Sequence, residues 1–185
     1  MLKGKKIVLG VTGGIAAYKA AQLARMFIHA GADVHVVMTE SATKFITPLT
    51  FRSLTGNPVT VDMFEPVTNW QIEHIELATM ADVLVIAPAT ANVIGKIASG
   101  MADDMLTTTV MATKAPVIIA PAMNSNMYSN PIVQGNVDKL KGLGYEFVEP
   151  EEGRLATGTE GVGKGRLADL EKIVQKTSEV LERLR

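Results

Sequence analysis

Cysteine is absent from this chain, which excludes disulfides and thiolate metal sites. The 3 histidines, His29, His35 and His74, show no ligand spacing, so no metal site is expected. An excess of either charge is also missing. The 18 Lys and Arg are balanced by 19 Asp and Glu, for a net charge of -1, and offer no broad field to nucleic acid or an anionic membrane. No apolar run reaches membrane length; the most hydrophobic, Val83 to Ala98, is interrupted by Pro88, Asn92 and Lys96. Met1-Leu2-Lys3-Gly4-Lys5-Lys6 leads straight into a strand, without the apolar segment and cleavage site of a secretory signal. A cytoplasmic protein with neither nucleic-acid nor membrane partners is the expectation.

The chain is rich in core-forming residues. A hydrophobic content of 47% in 185 residues, with mean hydropathy +0.20, predicts one domain over residues 1–185 with a full interior. Its organising stretch is Lys6 to Lys19, where a β-branched apolar run meets Gly10, Gly13 and Gly14 and passes into an alanine-rich segment of helical period. Strand, tight turn and helix follow in that order. Unpaired N–H groups at such a helix start bind anions, phosphate especially. The glycine spacing is not the G-x-G-x-x-G of dinucleotide sites, which suggests a single phosphate. The same glycines can equally serve a tight connection alone.

Asp33 to Met38 alternates as a second strand and runs into Thr39, Glu40 and Ser41, whose hydroxyls suit a phosphate or ribityl chain and equally suit a helix cap. Short helices through Phe45 and Leu54 and a short strand at Val59 to Val61 come next. Val83 to Ala87 is apolar throughout, a strand buried on both faces, and it leads through Pro88-Ala89-Thr90-Ala91-Asn92 into a helix from Val93 to Ser99. Asp103 and Asp104 stand where caps are expected before Met105 to Met111. Val117 to Ala120 repeats the design and ends at Pro121-Ala122-Met123-Asn124. An amphipathic helix over Ile132 to Leu143, a last strand at Tyr145 to Val148 and a charged terminal helix over Asp169 to Leu184 complete the chain.

Alternating strands and helices predict an α/β fold, a Rossmann-like doubly wound parallel sheet in a flavodoxin-type three-layer sandwich. Its corners near Gly13, Thr90 and Asn124 then fall along one sheet edge, where such folds bind ligands. Residues 153–167 carry 5 glycines and 3 cations, too glycine-rich for helix or strand, and read either as a flexible clamp over a bound anion or as a solvated connector.

Thr12-Gly13-Gly14-Ile15-Ala16, His74 before Ile75-Glu76-Leu77, Pro88-Ala89-Thr90-Ala91-Asn92 with Val93 following, and Pro121-Ala122-Met123-Asn124-Ser125-Asn126-Met127-Tyr128 run in this order across most of the chain. Together they resemble the homo-oligomeric flavin-containing cysteine decarboxylases, and within them the phosphopantothenoylcysteine decarboxylases of coenzyme A biosynthesis. The resemblance implies an FMN contacted by Gly13, Gly14, Ile15, Thr39, Ser41, Thr90, Ala91, Asn92, Val93 and Ala122. It implies His74 as the catalytic histidine, with Asn124, Met127, Lys164 and Arg166 on the substrate. A trimer, or trimers assembled into a dodecamer, would hold FMN between neighbouring subunits, and a phosphopantothenoylcysteine synthetase, fused or separate, would be a partner.

In such enzymes the substrate thiol is oxidised by flavin to a thioaldehyde, which serves as the electron sink for loss of CO2 and leaves an enethiol. A clamp cysteine then donates the proton that accompanies return of the hydride. Here Thr157 occupies the cysteine's place, and a hydroxyl is a far weaker acid than a thiol of pKa near ~8.5. A chain stalled at the enethiol is the expectation. A peptidyl-cysteine decarboxylase that releases enethiols, or a non-catalytic FMN-binding regulator, is the alternative.

Overall fold

A computed structural model describes residues 2–63, 73–154 and 161–184. The elements are β1 (Lys6–Val11), α1 (Ala17–His29), β2 (Asp33–Met38), a 3-10 turn (Glu40–Lys44), α2 (Pro48–Thr55) and β3 (Val59–Thr60). After them come α3 (Glu73–Met80), β4 (Val83–Ala89), α4 (Ala91–Ala98), α5 (Met105–Ala112), β5 (Val117–Pro121) and α6 (Ser125–Tyr128). The remainder is α7 (Pro131–Gly142), β6 (Glu146–Phe147), β7 (Glu151–Arg154), β8 (Val162–Arg166) and α8 (Leu170–Arg183).

Six strands form one parallel sheet in the order β3-β2-β1-β4-β5-β6. Chain order reverses between β1 and β4, so the loops leaving these two strands diverge to opposite faces and open a crevice at their C-terminal ends. Every residue of β4 and β5 is buried, which is why both read as unbroken apolar runs. Strand alternation splits the core into two layers. Ile7, Leu9 and Val11 join Leu23 and Phe27 of α1, Phe51 of α2 and Ile173 and Leu181 of α8. Val8 faces the other way, with Ile94 and Ile97 of α4, Leu106 and Val110 of α5 and Leu140 of α7. The result is the doubly wound, three-layer α/β sandwich.

Helix spacing explains the outer layers. The buried residues of α1 are Ala17, Ala20, Leu23, Ala24 and Phe27, one stripe at intervals of three and four. Helix α8 buries Leu170, Ile173, Thr177, Val180 and Leu181 and ties its exposed side to β6 through Lys176 and Arg183, 2.7 and 2.6 Å from Glu146. Among the described residues no helix is long and apolar enough to cross a membrane.

The stretch expected to hold neither helix nor strand differs. Its described ends form an antiparallel hairpin, β7 with β8, in which Glu152 pairs with Lys164, Gly153 with Gly163 and Arg154 with Val162. The parallel sheet therefore ends at Glu146–Phe147, and two further strands follow. Backbone pairing overrides weak strand propensity here, and glycine has a specific use: a Cβ on Gly165 would strike the Met123 carbonyl oxygen. The Met123 N–H donates to the Gly165 carbonyl at 3.0 Å, which lays the hairpin over the loop after β5. Thr157 lies outside the described residues.

Candidate functional site

The loops that leave β1, β2, β4 and β5 surround a cleft of about 900 Å³, with Gly165, Arg166 and Leu167 on its remaining side. At the first loop the Gly14 N–H donates to the Thr12 carbonyl at 3.0 Å and the Ala17 N–H to the Gly14 carbonyl at 2.9 Å. The N–H groups of Gly13 and Ile15 have no acceptor among the described residues, and both residues line the cleft. This is an anion cradle of the kind expected at a helix start. Gly13 also abuts the loop after β2. A Cβ there would overlap the Ser41 side chain and lie 2.8 Å from the Ser41 carbonyl carbon, so only glycine fits.

The polar residues of the other loops divide their work between cap and cleft. The Thr39 Oγ1 accepts from the Ala42 N–H at 3.3 Å, and the Thr90 Oγ1 accepts from the Val93 N–H at 3.4 Å. Asn124 caps α6 through its Oδ1, which accepts from the Asn126 and Met127 N–H groups at 2.8 and 3.4 Å. Its Nδ2 has no acceptor among the described residues, so one amide can fix the loop and still offer donors to a ligand.

Gly13, Gly14, Ile15, Thr39, Ser41, Thr90, Ala91, Asn92, Val93 and Ala122 all line the cleft, as do Asn124, Met127 and Arg166. Two expected residues do not. His74 is half-buried near the start of α3 and takes no part in the lining. Lys164 points elsewhere: its Nζ lies 3.0 Å from Glu149 and 5.5 Å from the centre of the Tyr128 ring. Arg166 lies on the cleft with its Nη2 3.5 Å from Asp169.

Glu149 is the hub that holds Lys164. It accepts from the Tyr128 hydroxyl at 2.6 Å and from Lys141 at 2.7 Å as well. Burial works to raise its pKa, but hydrogen bonds from Lys141, Tyr128 and Lys164 outweigh that and hold it down at about 2. The Tyr128 phenol moves the other way, raised by burial and by the carboxylate beside it.

Four residues that sequence reasoning did not assign to the site belong to it or support it. Lys96, Asp103 and Asp104 line the cleft as an ion cluster, in which the Lys96 ammonium donates to Asp103 at 2.8 and 3.0 Å and to Asp104 at 2.9 Å. These bonds raise the Lys96 pKa. Asp104 is indeed the expected cap: it accepts from the Thr107 N–H at 2.9 Å in a capping box. The lysine one helical turn beyond Asn92 was the available hint. The fourth is Thr12, fully buried beneath the loops, for which nothing local gave a signal.

An unpaired N–H cradle at the switch point of a parallel sheet, walled by small residues, is suited to a ligand with one phosphate and a slim body. The sequence matches the Flavoprotein family over residues 1–182, and the chain belongs to that family. It is 53% identical over 175 residues to the coenzyme A biosynthesis bifunctional protein CoaBC of Bacillus subtilis (strain 168), covering 95% of this chain and 43% of the relative. Against the protein of the same description from Escherichia coli (strain K12) it is 46% identical over 168 residues, 91% of this chain and 41% of the relative. The chain thus spans less than half the length of these relatives. Among solved structures, a cysteine-to-serine mutant of PPC decarboxylase complexed with pantothenoylaminoethenethiol superposes with TM-score 0.86 at 32% identity, covering 97% of this chain and 100% of that one. The FMN-dependent cysteine decarboxylase SpaF gives 0.84 at 35% identity, covering 99% and 98%.

Proposed function

We propose that this chain binds FMN in the cleft and decarboxylates the cysteine moiety of 4'-phosphopantothenoylcysteine in coenzyme A biosynthesis, toward 4'-phosphopantetheine. The observation that carries this reading is the gathering of four strand-end loops around one cleft that is lined by both the free N–H groups of Gly13 and Ile15 and the free Nδ2 of Asn124. The residues present fit FMN: a cradle for one phosphate, hydroxyls at Thr39 and Ser41, and small walls at Ala91 and Ala122. Bound FMN supplies a hydride acceptor, through which the substrate thiol becomes a thioaldehyde able to take the electrons released with CO2.

The chain's own residues bind and orient. Gly13, Gly14 and Ile15 would hold the cofactor phosphate, Thr39, Ser41, Thr90 and Asn92 would serve its sugar-like chain, and Ala91, Val93 and Ala122 would leave space for its ring. The Asn124 Nδ2 holds the substrate carboxylate, with Met127 alongside. With Lys164 engaged by Glu149, Arg166, which lines the cleft, takes the substrate phosphate. His74 serves as the proton-transfer residue. Because it stands off the cleft of its own chain, a neighbouring copy in a trimer, or in trimers assembled into a dodecamer, brings it to the site. The exposed apolar side chains of Ile15, Tyr18 and Met127 around the cleft support such an assembly. The setting is the cytoplasm, and a synthetase, fused or separate, delivers the substrate.

Thr157 in the position of a proton-donating cysteine argues for a halt at the enethiol, and the likeness to a cysteine-to-serine mutant that holds pantothenoylaminoethenethiol supports this. The test is to load the purified chain with FMN, confirm the flavin absorption bands, and add phosphopantothenoylcysteine. Mass spectrometry should show loss of CO2 and a product two hydrogens lighter than phosphopantetheine. Thr157→Cys should shift the product to phosphopantetheine. Failure to take up FMN, or no loss of CO2 from this substrate, refutes the proposal, and loss of CO2 from a cysteine-ended peptide instead favours a peptide decarboxylase.

A further inference from the structure

Thr12 is fully buried, and its hydroxyl joins parts of the chain that the sheet leaves unjoined. The β1–β4 ladder ends with Gly10 opposite Ile86. Just beyond, the β4–β5 pairing shifts register between Ile86 and Ala89, and the β1–β4 ladder includes neither Pro88 nor Thr90. Thr12 meets both. Its Oγ1 donates to the Pro88 carbonyl at 2.7 Å and accepts from the Thr90 N–H at 3.0 Å. Its own carbonyl accepts from the Gly14 N–H at 3.0 Å. One residue therefore sets the turn of the first cleft loop and the position of the second.

The chain of bonds continues across the cleft floor. The Ala122 N–H donates to the Ala89 carbonyl at 3.0 Å, and the Met123 N–H to the Gly165 carbonyl at 3.0 Å. Between the first loop and the second, the connection in this belt is a side chain. We infer that Thr12 is the positioning residue of the cofactor site: its hydroxyl fixes the distance between the anion cradle at Gly13–Ile15 and the second cleft loop at Thr90–Val93. The inference rests on the reading of the cleft as an FMN site. A ligand that spans two loops binds tightly only if the loops are already at the right separation. Removing the hydroxyl leaves a buried carbonyl and a part-buried N–H without their partner and frees the second loop to move.

The test compares Thr12→Val, which keeps the shape, with the Thr12→Ser and Thr12→Ala pair, which differ only in the hydroxyl. The pair keeps the test open if the valine variant does not fold. FMN affinity is read from flavin fluorescence, and amide exchange at Thr90 is read in the FMN-free protein. Val and Ala should weaken FMN binding roughly 10- to 100-fold, the range expected when buried hydrogen-bonding groups lose a partner, while Ser stays within about threefold of wild type. The Thr90 amide should exchange slowly in wild type and Ser and rapidly in Ala. Equal FMN affinity in Ser and Ala overturns the inference. A wild-type protein that takes up no FMN overturns the cofactor reading instead; equal Thr90 protection in Ser and Ala then overturns the tie itself.

Discussion

Gly13 and Gly14 are neighbours in the same turn, yet the structure predicts opposite outcomes for adding one methyl group. A Cβ at Gly13 would sit 2.8 Å from the Ser41 carbonyl carbon and 3.0 Å from its oxygen, besides overlapping the Ser41 side chain. Much of that obstacle is backbone, so no rotamer change relieves it, and the loops after β1 and β2 must part. Overpacking of this kind costs about 1–3 kcal/mol. At Gly14 the nearest atom to the new methyl is the Thr90 Cγ2 at 3.6 Å, an ordinary contact, and the backbone is not left-handed. Gly14→Ala should then gain about 0.4–1 kcal/mol from a less flexible unfolded chain. Urea denaturation of the FMN-free protein measures both. With a slope of about 2 kcal/mol/M, Gly13→Ala should lower the midpoint by about 0.5–1.5 M while Gly14→Ala leaves it level or slightly raised. Equal midpoints for the two variants, or a lower one for Gly14→Ala, would refute the packing argument.

Glu149 should make stability acid-sensitive. Its pKa is about 2 in the folded chain against 4.5 ordinarily, so its contribution is present above pH 4.5 and lost as pH falls from there toward 2. The side chain is 45% exposed, which screens the contribution to roughly 1 kcal/mol. The Glu149→Gln variant should therefore be less stable at pH 6 by about that amount and converge on wild type near pH 2; a gap that does not change with pH would contradict this. Asp104→Ala removes the capping box of α5 and one of the two carboxylates on Lys96, and should lower stability by about 1 kcal/mol or more in thermal denaturation. Asp104→Asn, which keeps the cap acceptor, should recover most of that loss. If a neighbouring copy brings His74 to the cleft, mixed and reassembled His74→Asn and Asn124→Ala variants should regain decarboxylation that neither has alone. No recovery, with assembly verified by light scattering, would place His74 outside the reaction.

Local pattern made much of this molecule readable from its residues. The apolar runs at Val83 to Ala87 and Val117 to Ala120 are strands because burial on both faces leaves no polar position in them. The three corners followed from small residues at strand ends, and every residue expected on the cofactor faces the cleft. The pairing of Glu151–Arg154 with Val162–Arg166 was not legible, because glycine-rich strands carry almost no side-chain signal and are held by backbone pairing and by the Met123 contact.

What the sequence by itself determined is the parallel α/β architecture and the edge on which the site lies, since both arise from periodicity and turn chemistry within short stretches. Tertiary structure alone decided that Lys164 turns to Glu149 while Arg166 meets the cleft, that His74 stands off it, and that Thr12 joins two loops. The Thr12 bond to Pro88 spans 76 positions, and no local periodicity encodes a contact of that range. It forms only when the finished sheet carries both strand ends to the same place.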